Sequence, residues 1–345
     1  MRNASSLAAA AFLALVVIST TACADEVDIR TDSDAKAVVP GVLQWSLSRS
    51  DKDAQPGTVE FGFGYQSPGR SMWESRTVRP LGPGQASPDD VPALQVAGVA
   101  PDQLIHGQGL VQFTVHRDAG DFRCEGSIRD SQGAGTCAYA PNPTFEASLK
   151  ARGVKGALTP YEQFELAMGD MGFDYVDELK REAYATPDAA TLVRAGEHGA
   201  SLKQLRAMDA AGYRFGTVEN FIRIRDHGVS ARYVSELKGY GLTGLAVDDL
   251  VALRDHGVGT HYLEELKAAG YTGLKADDLT RLRDHGVSTG FLTDLKAAGY
   301  QRLATEDLVK LRDHGVSGGF IRKVNAGGAP LPPDELIRLR EGGTP

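Results

Sequence analysis

Leu253-Arg254-Asp255-His256-Gly257-Val258 is one copy of a phrase that recurs as Ile224-Arg225-Asp226-His227-Gly228-Val229, Leu282-Arg283-Asp284-His285-Gly286-Val287 and Leu311-Arg312-Asp313-His314-Gly315-Val316. Each copy lies 29 residues from the next. A second phrase, Leu266-Lys267-Ala268-Ala269-Gly270-Tyr271, interleaves at the same spacing with Leu295-Lys296-Ala297-Ala298-Gly299-Tyr300. A short fixed period of this kind is the signature of stacked helical hairpins. Read in steps of one period, Val176, Leu205, Val234, Leu263, Leu292 and Ile321 form an apolar column. Leu179, Met208, Leu237, Leu266, Leu295 and Val324 form a second column three residues on, on the same helical face. Leu192, Phe221, Leu250, Leu279 and Leu308 form a third.

The pattern predicts two short helices per unit. The first covers about Val247 to His256 and stops at Gly257, a residue free to take positive φ, with Val258 as the apolar partner of a Schellman stop. The second opens on a hydroxyl N-cap, Ser230, Thr260, Ser288 or Ser317, and ends at Gly241, Gly270 or Gly299. Helices this short fall below the ~12–15 residues that are marginally stable alone in water, so the units must stack. The last stretch, Pro330 to Gly343, loses the His and reads as a capping unit.

Upstream the period changes to two. Val42 to Ser48 alternates, as do Val59 to Tyr65 and Val111 to Val115, which predicts half-buried strands. The Pro/Gly-rich run Arg79 to Pro92 reads as a loop, with Ser87-Pro88-Asp89-Asp90 able to start one helical turn. Phe122 to Ile128 and Thr136 to Tyr139 read as strands joined by a turn between Asp130 and Ser131. That register sets Cys124 opposite Cys137, within reach of a disulfide. Pro141-Asn142-Pro143 ends the sheet, and a short helix, Thr144 to Ala151, leads to the repeats.

The N-terminus reads as an export signal: Arg2, an apolar Leu7 to Ile18 and a small-residue site at Ala22-Cys23-Ala24. Twelve residues span only ~18 Å as a helix, too short to cross a membrane. Two processing outcomes fit, cleavage after Ala24 or lipidation of Cys23. The expected organisation is a signal peptide over 1–24, a flexible leader over 25–40, an antiparallel β domain over 41–147 and a helical repeat array of six to seven units over 148–345. The fold class is therefore α+β: an antiparallel β domain followed by an all-α solenoid. An oxidising compartment, the periplasm or the outer face of a membrane through a lipid on Cys23, suits the disulfide.

A formal net charge of -8 with no basic run argues against nucleic acid as partner. The recurring His198, His227, His256, His285 and His314 read as helix C-terminal residues favoured by the macrodipole, not as metal ligands. Asp226, Asp255, Asp284 and Asp313 oppose that dipole and need a partner. The adjoining Arg column, or Lys238, Lys267 and Lys296, would make a repeat-to-repeat ion ladder. Gly286 to Gly290 and Gly315 to Gly319 match Gly-x-Ser-x-Gly, but a helix rather than a strand precedes the Ser, and the motif reads as a cap. No catalytic, cofactor or metal residue is assigned. Arg232, His261, Thr289 and Gly318, which vary within the repeat, are the candidate interaction surface, and a protein or peptide of the cell envelope is the expected partner.

The chain resembles a group of exported bacterial proteins with a small β domain followed by short helical-hairpin repeats. Its repeat block is similar to one fused to membrane sensor metallopeptidases of the BlaR/MecR type. The resemblance is carried by Phe113 to Gly120, Glu125-Gly126, Gly133 to Thr136, Pro141 to Phe145 and the repeats. The chain lacks the His-Glu-x-x-His motif and spanning helices of the fused proteins, so the resemblance implies no proteolysis. It implies an exported binding or scaffolding protein, or an accessory partner of such a sensor peptidase.

Overall fold

The structure is a computed structural model that describes residues 38–49, 56–67, 70–87, 92–326 and 328–342. From Val38 onward the chain forms one compact unit. The signal segment, Cys23, most of the leader and the turn at Pro88 to Asp90 lie outside the described residues.

Seven strands come first: β1 (Leu43–Arg49), β2 (Val59–Ser67), β3 (Arg70–Leu81), β4 (Ala93–Ala97), β5 (Gly109–Val115), β6 (Gly120–Arg129) and β7 (Gln132–Pro141). They close into a barrel rather than an antiparallel sheet, because β1 pairs with β7 as well as β2, and β3 pairs in parallel with β4. The run Arg79 to Pro92 is thus a loop only in part, since Arg79, Pro80 and Leu81 belong to β3 and face Ala93 to Gln95. β3 escapes the alternation test for a physical reason. Its interior positions include Glu74 and Arg76, which form an ion pair beside Phe61 and Phe63, while its one large apolar ring, Trp73, lies outside and is half exposed. The cavity they line is about 20 Å³, room for a single water.

The rest of the barrel interior is aromatic. Trp45 lies against Phe61 and Phe113, and its indole N–H donates to the Glu125 carbonyl at 3.0 Å. The indole fits because Gly126 and Gly135 oppose each other across β6 and β7. A Cβ on Gly135 would stand 2.0 Å from the Glu125 oxygen and 2.6 Å from the Trp45 nitrogen. Asp130 and Ser131, both at positive φ, make the two-residue turn between β6 and β7. Cys124 and Cys137 then pair in register and are joined by a disulfide.

Helices follow. After α1 (Pro101–His106), inserted between β4 and β5, and α2 (Phe145–Ala151), the chain makes α3 (Pro160–Gly169), α4 (Phe173–Arg181), α5 (Ala189–Glu197), α6 (Leu202–Ala210), α7 (Val218–Asp226), α8 (Ala231–Gly239), α9 (Val247–Asp255) and α10 (Thr260–Ala268). It ends with α11 (Ala276–Asp284), α12 (Thr289–Ala297), α13 (Thr305–Asp313), α14 (Gly318–Val324) and α15 (Pro333–Arg340). Each helix from α3 on packs against the helix two places along, so α3, α5, α7, α9, α11, α13 and α15 make one succession and α4 to α14 another. The apolar columns are buried in these helices, except at their C-terminal end, where Val324 is only half-buried.

Barrel and helices meet at α3. Phe164 is fully buried against Tyr65, Phe122 and Tyr139, and the Tyr65 and Tyr161 hydroxyls are 2.7 Å apart. The Gln163 amide donates to the carbonyls of Ala119 and Asn142 at 2.7 and 2.8 Å. Asp118, in the turn between β5 and β6, accepts the Phe173 backbone N–H at 2.6 Å and so caps α4, whose own N-cap is Gly172. Only glycine fits there, since a Cβ would lie 2.3 Å from the carboxylate.

Phe164→Ala removes the ring shared by barrel and helices and should cost about 3–5 kcal/mol. Near-ultraviolet and far-ultraviolet circular dichroism should shift to the same lower urea midpoint. Burial raises the Asp118 carboxyl above its ordinary value, so the folded chain holds that proton more tightly than the unfolded one. The contribution is fully present below the unfolded pKa and is lost as pH rises through the folded one. Wild-type stability relative to Asp118→Asn should therefore increase as pH falls from neutral into the carboxylate range. Parallel pH curves for the two proteins would contradict this.

Candidate interaction surface

The helices α5, α7, α9, α11 and α13 end in the same way, with a His C-cap followed by a positive-φ Gly. α9 is followed by His256 as C-cap, Gly257 at φ +70° and Val258. The Gly257 N–H bonds the Arg254 carbonyl at 3.1 Å, and the Val258 N–H reaches back to Leu253 at 2.8 Å, which completes the Schellman stop. The next helix is capped at once. Ser230, Ser288 and Ser317 accept the N–H of Tyr233, Phe291 and Phe320. The Gly-x-Ser-x-Gly matches are thus stop-and-start signals in this structure. Thr260 differs from its expected role: it is the first helical residue of α10, and the N-cap is Gly259, which lacks a hydroxyl.

The stop places His and Asp of successive units side by side. His198 Nδ1 lies 2.8 Å from Asp226, His227 is 2.9 Å from Asp255 and His285 is 2.5 Å from Asp313. His256 pairs with Asp284, and His314 takes Glu341 of the last unit at 2.6 Å. A repeat-to-repeat polar ladder is present, but the carboxylates' partner is the His of the preceding unit, not the Arg or Lys columns. The arginines are engaged elsewhere. Arg254, Arg283, Arg312 and Arg340 lie over the rings of Tyr233, Tyr262, Phe291 and Phe320. Arg312 and Arg340 also donate at 2.9 Å to the carbonyls of Gly286 and Gly315, and Arg283 donates to His256 at 3.4 Å. Arg283, Arg312 and Arg340 thus satisfy carbonyls just past the helix end of the unit before them. Tyr233 and Tyr262 add a reverse link by donating to the carbonyls of Val258 and Val287. Burial pushes both phenols up to about 12, so they remain donors.

The candidate surface residues separate into two columns. Arg232 and His261 occupy the second position of α8 and α10 and are exposed. Thr289 and Gly318 occupy the first position of α12 and α14, so they do not continue that column. Gly318 is buried, and a Cβ there would meet the Asp294 carboxylate at 1.7 Å, so packing accounts for the glycine. The column of Arg232 and His261 runs instead through Asp174, Lys203, Gly290 and Gly319, every one of them exposed. Only strict counting in steps of 29 would have found it.

Elsewhere, Glu178, Glu182 and Asp209 cluster closely enough to share a cation. Glu178 is buried but pairs with Arg181 and Arg206, and Glu182 pairs with Arg181 and Arg214. Arginines already pair with both glutamates, and Asp209 accepts from the Tyr184 hydroxyl at 2.9 Å. His116, which stands alone in the sequence, lies 2.9 Å from Asp121.

Compared with known protein families, curated proteins and solved structures, the chain finds no match.

The two devices at each helix stop differ in weight. Gly257→Ala places a Cβ in the left-handed region and should cost about 1–2 kcal/mol. Asp255→Asn weakens one half-exposed pair and should cost less than about 1 kcal/mol. Urea midpoints of the two variants should follow that order, and the reverse order would contradict it.

Proposed function

We propose that the chain is a non-catalytic, exported binding or scaffolding protein of the bacterial cell envelope, in which a solenoid of 29-residue hairpins presents a surface to a protein or peptide partner. The observation that supports this reading best is the exposed column on the second helices. Asp174, Lys203, Arg232, His261, Gly290 and Gly319 recur at one position, so one face carries five different residue types over six units on a constant scaffold. A solenoid divides labour in this way: apolar columns and caps hold the stack, and the outward positions are left to vary. The charge changes along the column from acidic through basic to uncharged, which suits an extended ligand read in register more than a compact one.

The likeness of the repeats to those fused to BlaR/MecR-type sensor peptidases supports a second reading, an accessory partner of such a sensor. The quoted residues Asp118, Ala119 and Asn142 favour a fused β-plus-repeat module in either reading, since all three bond the first helices or their approaches.

The test is retention of an envelope component on the immobilised full chain, repeated with Arg232→Ala/His261→Ala. Retention should fall by roughly tenfold or more in the double variant, with its urea midpoint unchanged. Equal retention by wild type and variant would place the binding surface elsewhere, and no retained component in either would count against the reading itself.

A further inference from the structure

The lysines near the ends of the second helices share one column but not one environment. Lys238 donates to the Ala211 carbonyl at 2.9 Å, and Lys267 lies 5.8 Å from the centre of the Tyr240 ring. The Lys296 ammonium has no hydrogen-bond, ion-pair or ring partner among the described residues. The loop beside it also departs from its sisters. Thr243-Gly244-Leu245 and Thr272-Gly273-Leu274 become Gln301-Arg302-Leu303. Gly244 and Gly273 sit at φ +64° and +72°, whereas Arg302 is not among the residues of positive φ, so the backbone takes another path. The Arg302 guanidinium lies 5.7 Å from the centre of the Tyr271 ring, whose hydroxyl accepts the Leu303 N–H at 3.0 Å.

Between these groups is a crevice of about 80 Å³, lined in part by Ala269, Tyr271, Leu295, Lys296, Gln301 and Arg302. Its lining holds two cations, an amide, two tyrosines and apolar side chains, and no carboxylate. Asp307 acts on the Tyr271 hydroxyl from outside the lining. An anionic group of a few heavy atoms complements such a site. A planar guanidinium fork matches a carboxylate, and Leu295 with the Tyr271 ring suits a short methylene stem.

We propose that this crevice receives the carboxylate of an acidic peptide side chain or of a peptide C-terminus, held by Lys296 and Arg302. The assignment rests on the reading of the array as a peptide-binding surface and names one subsite of it.

The test uses propionate, the head of a glutamate side chain, and propionamide, its neutral isostere. Each is titrated into the full chain and followed by amide proton–nitrogen spectra. Saturable shifts at Lys296, Gln301, Arg302 and Leu303 are expected with propionate and not with propionamide. Arg302→Gly, which restores the sister loops' residue at that position, and Lys296→Gln should each weaken propionate by roughly tenfold or more. Equal response to both probes, an undiminished response in Arg302→Gly, or tighter binding of inorganic phosphate would overturn the assignment. A peptide with an internal Glu and an amidated end, set against one with Gln and a free end, distinguishes the two carboxylate sources. If Arg302→Gly abolishes propionate binding yet retains the envelope component at wild-type level, the crevice is not part of the partner surface, while the wider reading stands. If propionate binds as expected and no envelope component is retained, the crevice stands and the wider reading falls.

Discussion

The left-handed glycine that follows α5, α7, α9, α11 and α13 is the constraint on which the helical part depends. Gly199, Gly228, Gly257, Gly286 and Gly315 take φ between +65° and +70°, so five consecutive units turn at nearly one angle. A side chain there costs about 1–2 kcal/mol against a turn that must be made in every unit. Within four residues the chain stops one helix, buries an apolar residue in the turn and, in most units, caps the next helix with a hydroxyl. Because the angle recurs, the His at each C-cap and the Asp of the following unit arrive at the same separation without further adjustment.

The polar contacts between units are individually weak. Half-exposed His–carboxylate pairs contribute roughly 0–1 kcal/mol each. Their value lies in direction. The Leu and Val columns are nearly the same in every unit and would pack in more than one register, whereas an imidazole, a guanidinium over a ring and a tyrosine hydroxyl each have one partner in one neighbouring unit. Arg312 shows the economy: one side chain stacks on Phe291 and caps the turn at Gly286. Burial of the apolar columns supplies the drive to stack, and these contacts select how.

The barrel supplies the first surface on which the stack grows. α3 has Phe164 turned to the barrel and packs against α5, so it belongs to both parts of the fold. Asp118 ties the turn between β5 and β6 to the start of α4 despite the cost of burying its charge. Asp118, Ala119 and Asn142 are therefore joints between the barrel and the first helices.

Repeat length, helix stops, the turn at Asp130 and Ser131 and the pairing of Cys124 with Cys137 were legible in the sequence, because each depends on residues close together in the chain or on a period that can be counted. Closure of the barrel was not, since β1 meets β7 across some ninety residues and alternation reports only that one face is buried. β3 and β4 were missed because Glu74 and Arg76 interrupt the apolar face of one and the other is only five residues long. The partner of each Asp was misjudged because the nearest cation in sequence is not the nearest in space once Arg has turned back to the preceding helix end. The sequence by itself determined where the recurring first helices stop, through glycine backbone freedom, and where α8, α12 and α14 start, through serine caps. Only the tertiary structure decided which side chains of different units touch, because distance between units depends on how two layers of helices pack and not on distance along the chain.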